Sequence, residues 1–191
     1  MQRSGLSIED LPPQQFPVAT TYQARSGKLF DLDNHIEHDW KPRRIIHQFP
    51  DGRKRVLNVV GIEVDMDTEG GHSEDPTRQS IYRKFISVLS CLEHGTYEQA
   101  LNIRSAIIFF YFNSFARMEN MQRLLHNITN GEGSEHIGFF RFPNFKDFED
   151  YPPADDFALR LPYERVGSPP LNILETLGYQ ETTSARENRE T

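Results

Sequence analysis

Lys41, Arg43, Arg44, Arg53, Lys54 and Arg55 place six cations within fifteen residues, with Asp51 the only acid among them. Between the two clusters stands Pro50-Asp51-Gly52, in which proline presets a turn and glycine tolerates positive φ. The turn is expected to fold the clusters toward each other, so that the six cations share one edge of a β-hairpin. Such an edge suits phosphate, because a guanidinium donates in a planar fork and each neutralised phosphate releases counterions. Trp40, beside Lys41, offers a ring on which an unpaired terminal base would stack. A basic edge strand also has a plainer use, as a guard against sheet-to-sheet aggregation.

Other constellations are weaker. Asp31, Asp33, His35, Glu37, His38 and Asp39 would offer a divalent metal nitrogen and oxygen ligands, with His35 and His38 three residues apart. A solvated polar loop has the same composition, and nothing distant in the chain announces the outer shell a metal needs, so neither metal nor cofactor is assigned. Asp51, Glu63 and Asp65 lack a lysine at a spacing that suits a metal-dependent nuclease. There is no glycine-rich phosphate loop, no G-x-G-x-x-G and no G-x-S-x-G. Cys91 has His94 three residues on, but it lies among Leu89 and Leu92 on an apolar helical stretch, where a buried structural cysteine is the commoner case. Asp155-Asp156 reads as a solvated acidic face. No catalytic residue is assigned, and the chain is expected to be non-enzymatic.

The elements that must position these residues are those of a small α+β protein. At 191 residues, 22.2 kDa and 37% hydrophobic content, one domain with a sizeable core is expected. Lys and Arg total 21 against 28 for Asp and Glu, a net charge of -7 that counts against a surface coated throughout with nucleic acid or anionic lipid. The single cysteine excludes intramolecular disulfides and fits a reducing compartment. The apolar run Ala106 to Phe112 is far short of the roughly 20 residues of a spanning helix, and Met1 to Thr20 lacks the order of a secretory signal. The expected context is intracellular, away from membranes.

Residues 43–66 read as the β-hairpin, with Val60, Ile62 and Val64 alternating against Gly61, Glu63 and Asp65. Asp75-Pro76 is expected to open a helix over about 76–94, in which Ile81, Phe85, Val88 and Leu92 form the apolar stripe and Gly95 the left-handed cap. Thr96, three residues before Gln99, has the spacing of a capping box and opens a second helix over about 97–129, completing a helical hairpin. Short strands are expected over 136–142 and 157–161, and a helical turn over 171–177 before Gly178. A single domain would span 27–180, between a flexible N-terminal segment (1–26) and a flexible tail (181–191). Residues 107–112 are apolar all round the second helix, which makes it either central or shared between subunits. Ile108, Phe109, Phe112, Phe115 and Met118 are the candidate self-association residues, and a homodimer or higher oligomer built on them would pair two basic hairpins.

Several stretches resemble a known group. They are the block Lys84-Phe85-Ile86-Ser87-Val88-Leu89-Ser90-Cys91-Leu92-Glu93-His94, then Glu98 and Ile107-Ile108 through Phe115. Phe142-Pro143-Asn144-Phe145-Lys146, Tyr151-Pro152-Pro153-Ala154-Asp155 and Leu159-Arg160-Leu161-Pro162 extend the similarity over about residues 80–165. Together they resemble the small nonstructural silencing suppressors of tenuiviruses, plant viruses that encode this protein on the nucleocapsid segment. The resemblance implies a host-virus interaction in which small duplex RNA is sequestered by a protein with a dimeric helical N-terminal region. Host silencing or defence proteins would be further partners, and the host cytoplasm or nucleus the location. The basic stretch that the family carries nearer its C-terminus has no counterpart after Leu171, where only Arg186 and Arg189 stand among acids. No RNA-contact residue is therefore carried over, and the hairpin cations stand as an independent reading. The alternative function is a non-enzymatic adaptor that binds host or viral proteins without RNA.

Overall fold

The computed structural model describes residues 5–12, 15–18, 21–23, 27–32, 35–65, 81–141, 159–160 and 162–179. The expected helix start at Asp75-Pro76, the acidic loop over 145–156 and the tail 181–191 lie outside them. The N-terminal quarter forms β1 (Leu6–Asp10), β2 (Phe16–Pro17), β3 (Thr21–Gln23), β4 (Leu29–Asp31) and β5 (His35–Ile36). Then come β6 (Arg43–Gln48), β7 (Lys54–Asp65), α1 (Ile81–Glu93), α2 (Thr96–Leu101), β8 (Ile107–Phe112), α3 (Phe115–Ile128) and β9 (Ile137–Arg141). β10 (Pro162–Arg165), β11 (Ser168–Asn172) and α4 (Ile173–Thr176) complete the order.

Seven strands form one mixed sheet in the order β1-β6-β7-β8-β9-β10-β11, parallel at its centre (β7, β8, β9) and antiparallel towards both edges. This corrects the expected helical hairpin. α1 and α2 do meet at Gly95, which takes φ 63°, but α2 stops after Leu101 with Asn102 left-handed at φ 50°. The Thr96 capping box does not form either: Gly95 is the cap residue and no side chain caps the helix. Residues 107–112, expected inside a long helix, are the central strand β8. Its six residues are all buried, because the sheet is covered on both faces, and a strand buried on both faces carries no two-fold period. A short apolar run of that kind cannot be told from a buried helical segment by period alone.

One face of the sheet packs Ile108, Phe110 and Phe112 against α1, α2 and α3 and against residues of the β2-β5 and β3-β4 ribbons. The other packs Ile107, Phe109 and Tyr111 against Leu159, Tyr163, Leu171 and α4, with Phe109 and Tyr163 stacked at 3.9 Å. Of the candidate self-association residues, Ile108, Phe109, Phe112 and Met118 are thus core, and Phe115 alone is exposed, at 52%. The N-terminal segment, expected to be flexible, contributes β1 to the sheet edge and buries Phe16, Val18 and Tyr22. In the C-terminal part, Leu159 and Arg160 are helical where a strand was expected, and β10 begins at Pro162.

Candidate functional site

The basic hairpin forms as its turn residues dictate. β6 and β7 pair antiparallel from Gln48↔Lys54 to Arg43↔Val59, and Gly52 takes φ 84° at the bend. The six cations do not converge on one surface, and the strand itself is the reason. Arg53 sits at the turn with Lys54 and Arg55, which stand opposite Gln48 and His47, while Arg43 and Arg44 lie about 10 to 17 Å further along β6 at ~3.3 Å per residue. Successive strand residues also face opposite ways, so Arg43 and Arg55 share the side of Ile45 and Leu57, and Arg44 and Lys54 take the other.

Three of the arginines are held by carboxylates. Arg43 meets Asp10 at 3.2 Å, Arg44 meets Glu9 at 4.0 Å, and Arg53 meets Asp51 at 2.6 Å. The sheet order explains the first two: β1 pairs with β6 and sets Glu9 opposite Arg44 and Asp10 opposite Arg43. Sequence reasoning missed this because the segment looked too polar to order. Lys41 and Lys54 are exposed and have no carboxylate partner among the described residues. Trp40 bridges to Ile62 and is 45% exposed, at the end of the hairpin away from the turn.

The turn end is the better-built cationic group. The Arg53 and Arg55 guanidiniums lie 5.4 and 5.8 Å from the centre of the Phe49 ring, within the range of a cation-π contact. Phe49 in turn packs on His47, whose Nδ1 lies 2.9 Å from the Leu177 carbonyl, and His47 meets the Tyr179 ring. Arg55 also donates to the Thr176 carbonyl at 3.5 Å. Two exposed guanidiniums are thereby presented on a platform anchored to α4 and the core, while Lys54 stands on the other face of the hairpin.

A second charged group lies inside the molecule. Glu63 is 1% exposed; one carboxylate oxygen lies 2.6 Å from His38 Nδ1, and the other accepts from Lys84 Nζ at 2.8 Å. His38 Nε2 lies 3.1 Å from the buried Tyr97 hydroxyl, and the Phe16 ring packs against both rings. The register shift between Val59 and Gly61 makes room for this group. It turns Val60 to the helix-covered face while Ile62 and Val64 face the other, so the expected alternation is broken at that point. A Cβ at Gly61 would come within 2.5 Å of the His38 ring, so only glycine admits it. Burial pushes the Glu63 carboxyl up, but the His38 hydrogen bond and the charges of His38 and Lys84 outweigh it and hold the carboxyl below its ordinary value.

The residues considered for metal or nucleophilic chemistry are therefore placed as follows. His38 faces Glu63, Asp39 accepts the Val64 amide at 2.8 Å, His35 and Glu37 are exposed, and Asp33 lies outside the described residues. Among the described residues no three His, Cys, Asp or Glu side chains converge as a metal site. Burial pushes the Cys91 thiol up to about 11, so it stays protonated near neutral pH. A lysine does reach Glu63, but from α1, where spacing along the chain gives no hint of it. A shallow groove of about 400 Å³ between α3 and β10 is lined by Glu119, Arg123, His126, Glu164 and Arg165, charges of both signs that favour no single ligand. No helix among the described residues is long and apolar enough to cross a membrane. Comparison of the chain with protein-family models, curated proteins and solved structures returned no match.

Proposed function

We propose that this chain is a viral suppressor of host RNA silencing that acts by stoichiometric, non-enzymatic binding of small duplex RNA, with the hairpin turn as its phosphate contact. The observation that carries this reading is the pair of exposed guanidiniums, Arg53 and Arg55, over the Phe49 ring at the hairpin turn. Two planar forks on a fixed platform suit adjacent phosphate oxygens along a duplex backbone and read no base edges, and Lys54 adds positive charge from the other face of the turn. The tenuivirus resemblance of residues 80–165 supports the same function. Gel shift of a short RNA duplex at rising salt tests it. The triple variant Arg53→Gln/Lys54→Gln/Arg55→Gln should weaken binding at least about tenfold and flatten the log K against log salt slope by about 2. Unchanged binding removes the turn from the mechanism.

A second reading has its own observation. The carboxylates on Arg43, Arg44 and Arg53, in a chain of net charge -7, favour an adaptor that docks on host or viral proteins. A ribonuclease-insensitive pull-down from infected tissue together with no shift of the duplex would select it.

A further inference from the structure

β7 outruns its neighbour at the centre of the sheet. It pairs with β6 from Lys54 onwards, but β8 joins it only at Val59↔Ile107, so the turn half of the hairpin extends past β8. Side chains alternate along that half. Arg55, Leu57 and Val59 face the α4 side, and Lys54, Val56 and Asn58 face the side of the helices, as Val60 does further on. The helix layer leaves the tip open on its own side, where Val56 is 47% exposed.

Three cations stand around Val56 on this side. Arg44 is opposite Asn58 on β6, Lys54 lies on β7 towards the turn, and Arg104 precedes Ser105 in the connection from α2 to β8. Hydrogen bonds fix the first of them. Asn58, 8% exposed, donates through Nδ2 to the Ser105 carbonyl at 3.1 Å, which leaves its Oδ1 to accept from Arg44 Nε at 3.2 Å. The same pair of bonds draws the α2–β8 connection, and Arg104 with it, up to Arg44. Both terminal nitrogens of Arg44 are without a hydrogen bond among the described residues, since Glu9 stands 4.0 Å away, beyond hydrogen-bond reach. Lys54 and Arg104 are exposed and meet no carboxylate among the described residues.

We infer that the helix side of the hairpin is a second RNA-backbone contact, made by Arg44, Arg104 and Lys54. This rests on the RNA reading of the chain and adds a site on the face that Arg53 and Arg55 do not share. A guanidinium held by its Nε presents its two outer nitrogens as a fork, which suits two oxygens of one phosphodiester. Lys54 and Arg44 lie ~13 Å apart along the strands, far enough to meet different phosphates of one strand, and Val56 between them gives the sugar an apolar floor. Arg104 is distant in the chain from the hairpin cations, and only the Asn58 bond to Ser105 brings it among them.

The test uses the full chain and a short RNA duplex, in gel shift at rising salt. Arg44→Gln/Arg104→Gln should weaken binding at least about fivefold and flatten the log K against log salt slope by about 1 to 2. Arg104→Gln alone should weaken it at least about twofold; that side chain has no hydrogen bond or ion pair among the described residues, so the fold does not depend on it. Arg117→Gln/Arg123→Gln removes two charges from α3, which packs on the β8-β9 half of the sheet, and should change affinity less than about 1.5-fold. Because the two contacts lie on opposite faces, the losses from Arg44→Gln/Arg104→Gln and from Arg53→Gln/Arg55→Gln should multiply in the combined variant to within about twofold. The inference is overturned if Arg104→Gln binds like wild type, if Arg44→Gln/Arg104→Gln matches the α3 pair, or if it adds no loss to Arg53→Gln/Arg55→Gln. Any of those results, with wild type still binding through the turn, removes the helix-side contact alone. If wild type shifts no duplex, the RNA reading falls and takes this contact with it.

Discussion

Glu63 gives one carboxylate oxygen to His38 and the other to Lys84, so a single residue ties β7 to the segment before β6 and to α1. A glutamine there keeps one oxygen acceptor but sets an amide NH2 against the other donor and removes the charge that both face, and the His38 side is buried from water. Glu63→Gln should therefore cost about 3 kcal/mol, read as a lower urea midpoint with an unchanged slope. Lys84→Met should cost less, since the Lys84 side chain is 23% exposed and its charge is partly solvated either way. The pH dependence follows from the direction of the Glu63 shift. Its carboxyl is held below the ordinary 4.5, so the stability it contributes is fully present above that value and is lost as pH falls through the lower folded-state value. Acidification from pH 5 should lower the wild-type midpoint more steeply than that of Glu63→Gln, and parallel acid profiles would show that the carboxylate is not the linked group.

At the scale of elements, the run Ile107 to Phe112 separates the two arrangements that its composition allows. In a shared helix, Phe110 and Phe115 would both belong to one apolar belt; in the structure Phe110 is fully buried in β8 and Phe115 is 52% exposed on the first turn of α3. Phe110→Ala should cost about 3 to 5 kcal/mol by thermal or urea unfolding, whereas Phe115→Ser should stay within about 0.5 kcal/mol and leave the solution mass unchanged. A loss of mass in Phe115→Ser would return α3 to consideration as a subunit contact. The hairpin was legible because proline and glycine at a bend act locally, and α1 because Ile81, Phe85, Val88 and Leu92 repeat at helical spacing against one buried face. β8 was not, since its residues are apolar on both faces and carry no period. The pairing of Arg43 and Arg44 with β1, and of Glu63 with Lys84, depends on strand order and on a bulge, neither of which is written in the neighbouring residues. Glu63 inside a β-branched run was the one local sign that a buried partner existed.

At the scale of the molecule, stability is distributed from the centre of the sheet outwards. β8 pairs on both sides, with β7 and β9, and is buried above and below, so its amides open only when the two layers come apart. The edges are defended by other means than burial. β11 carries Pro169 and Pro170, which remove donors from its backbone, and β1 presents Glu9 and Asp10 to anything that would add a further strand. Native-state hydrogen exchange should accordingly find protection factors in β8 at least about a hundredfold above those in β1, with α1 and β7 nearer the former. Exchange in β8 should follow the denaturant dependence of global unfolding, and exchange in β1 should be nearly independent of denaturant, as expected of a local opening that exposes little surface. Equal protection in the two strands would make β1 part of the same cooperative unit as the core. Its contacts with Arg43 and Arg44 would then persist for as long as the core does.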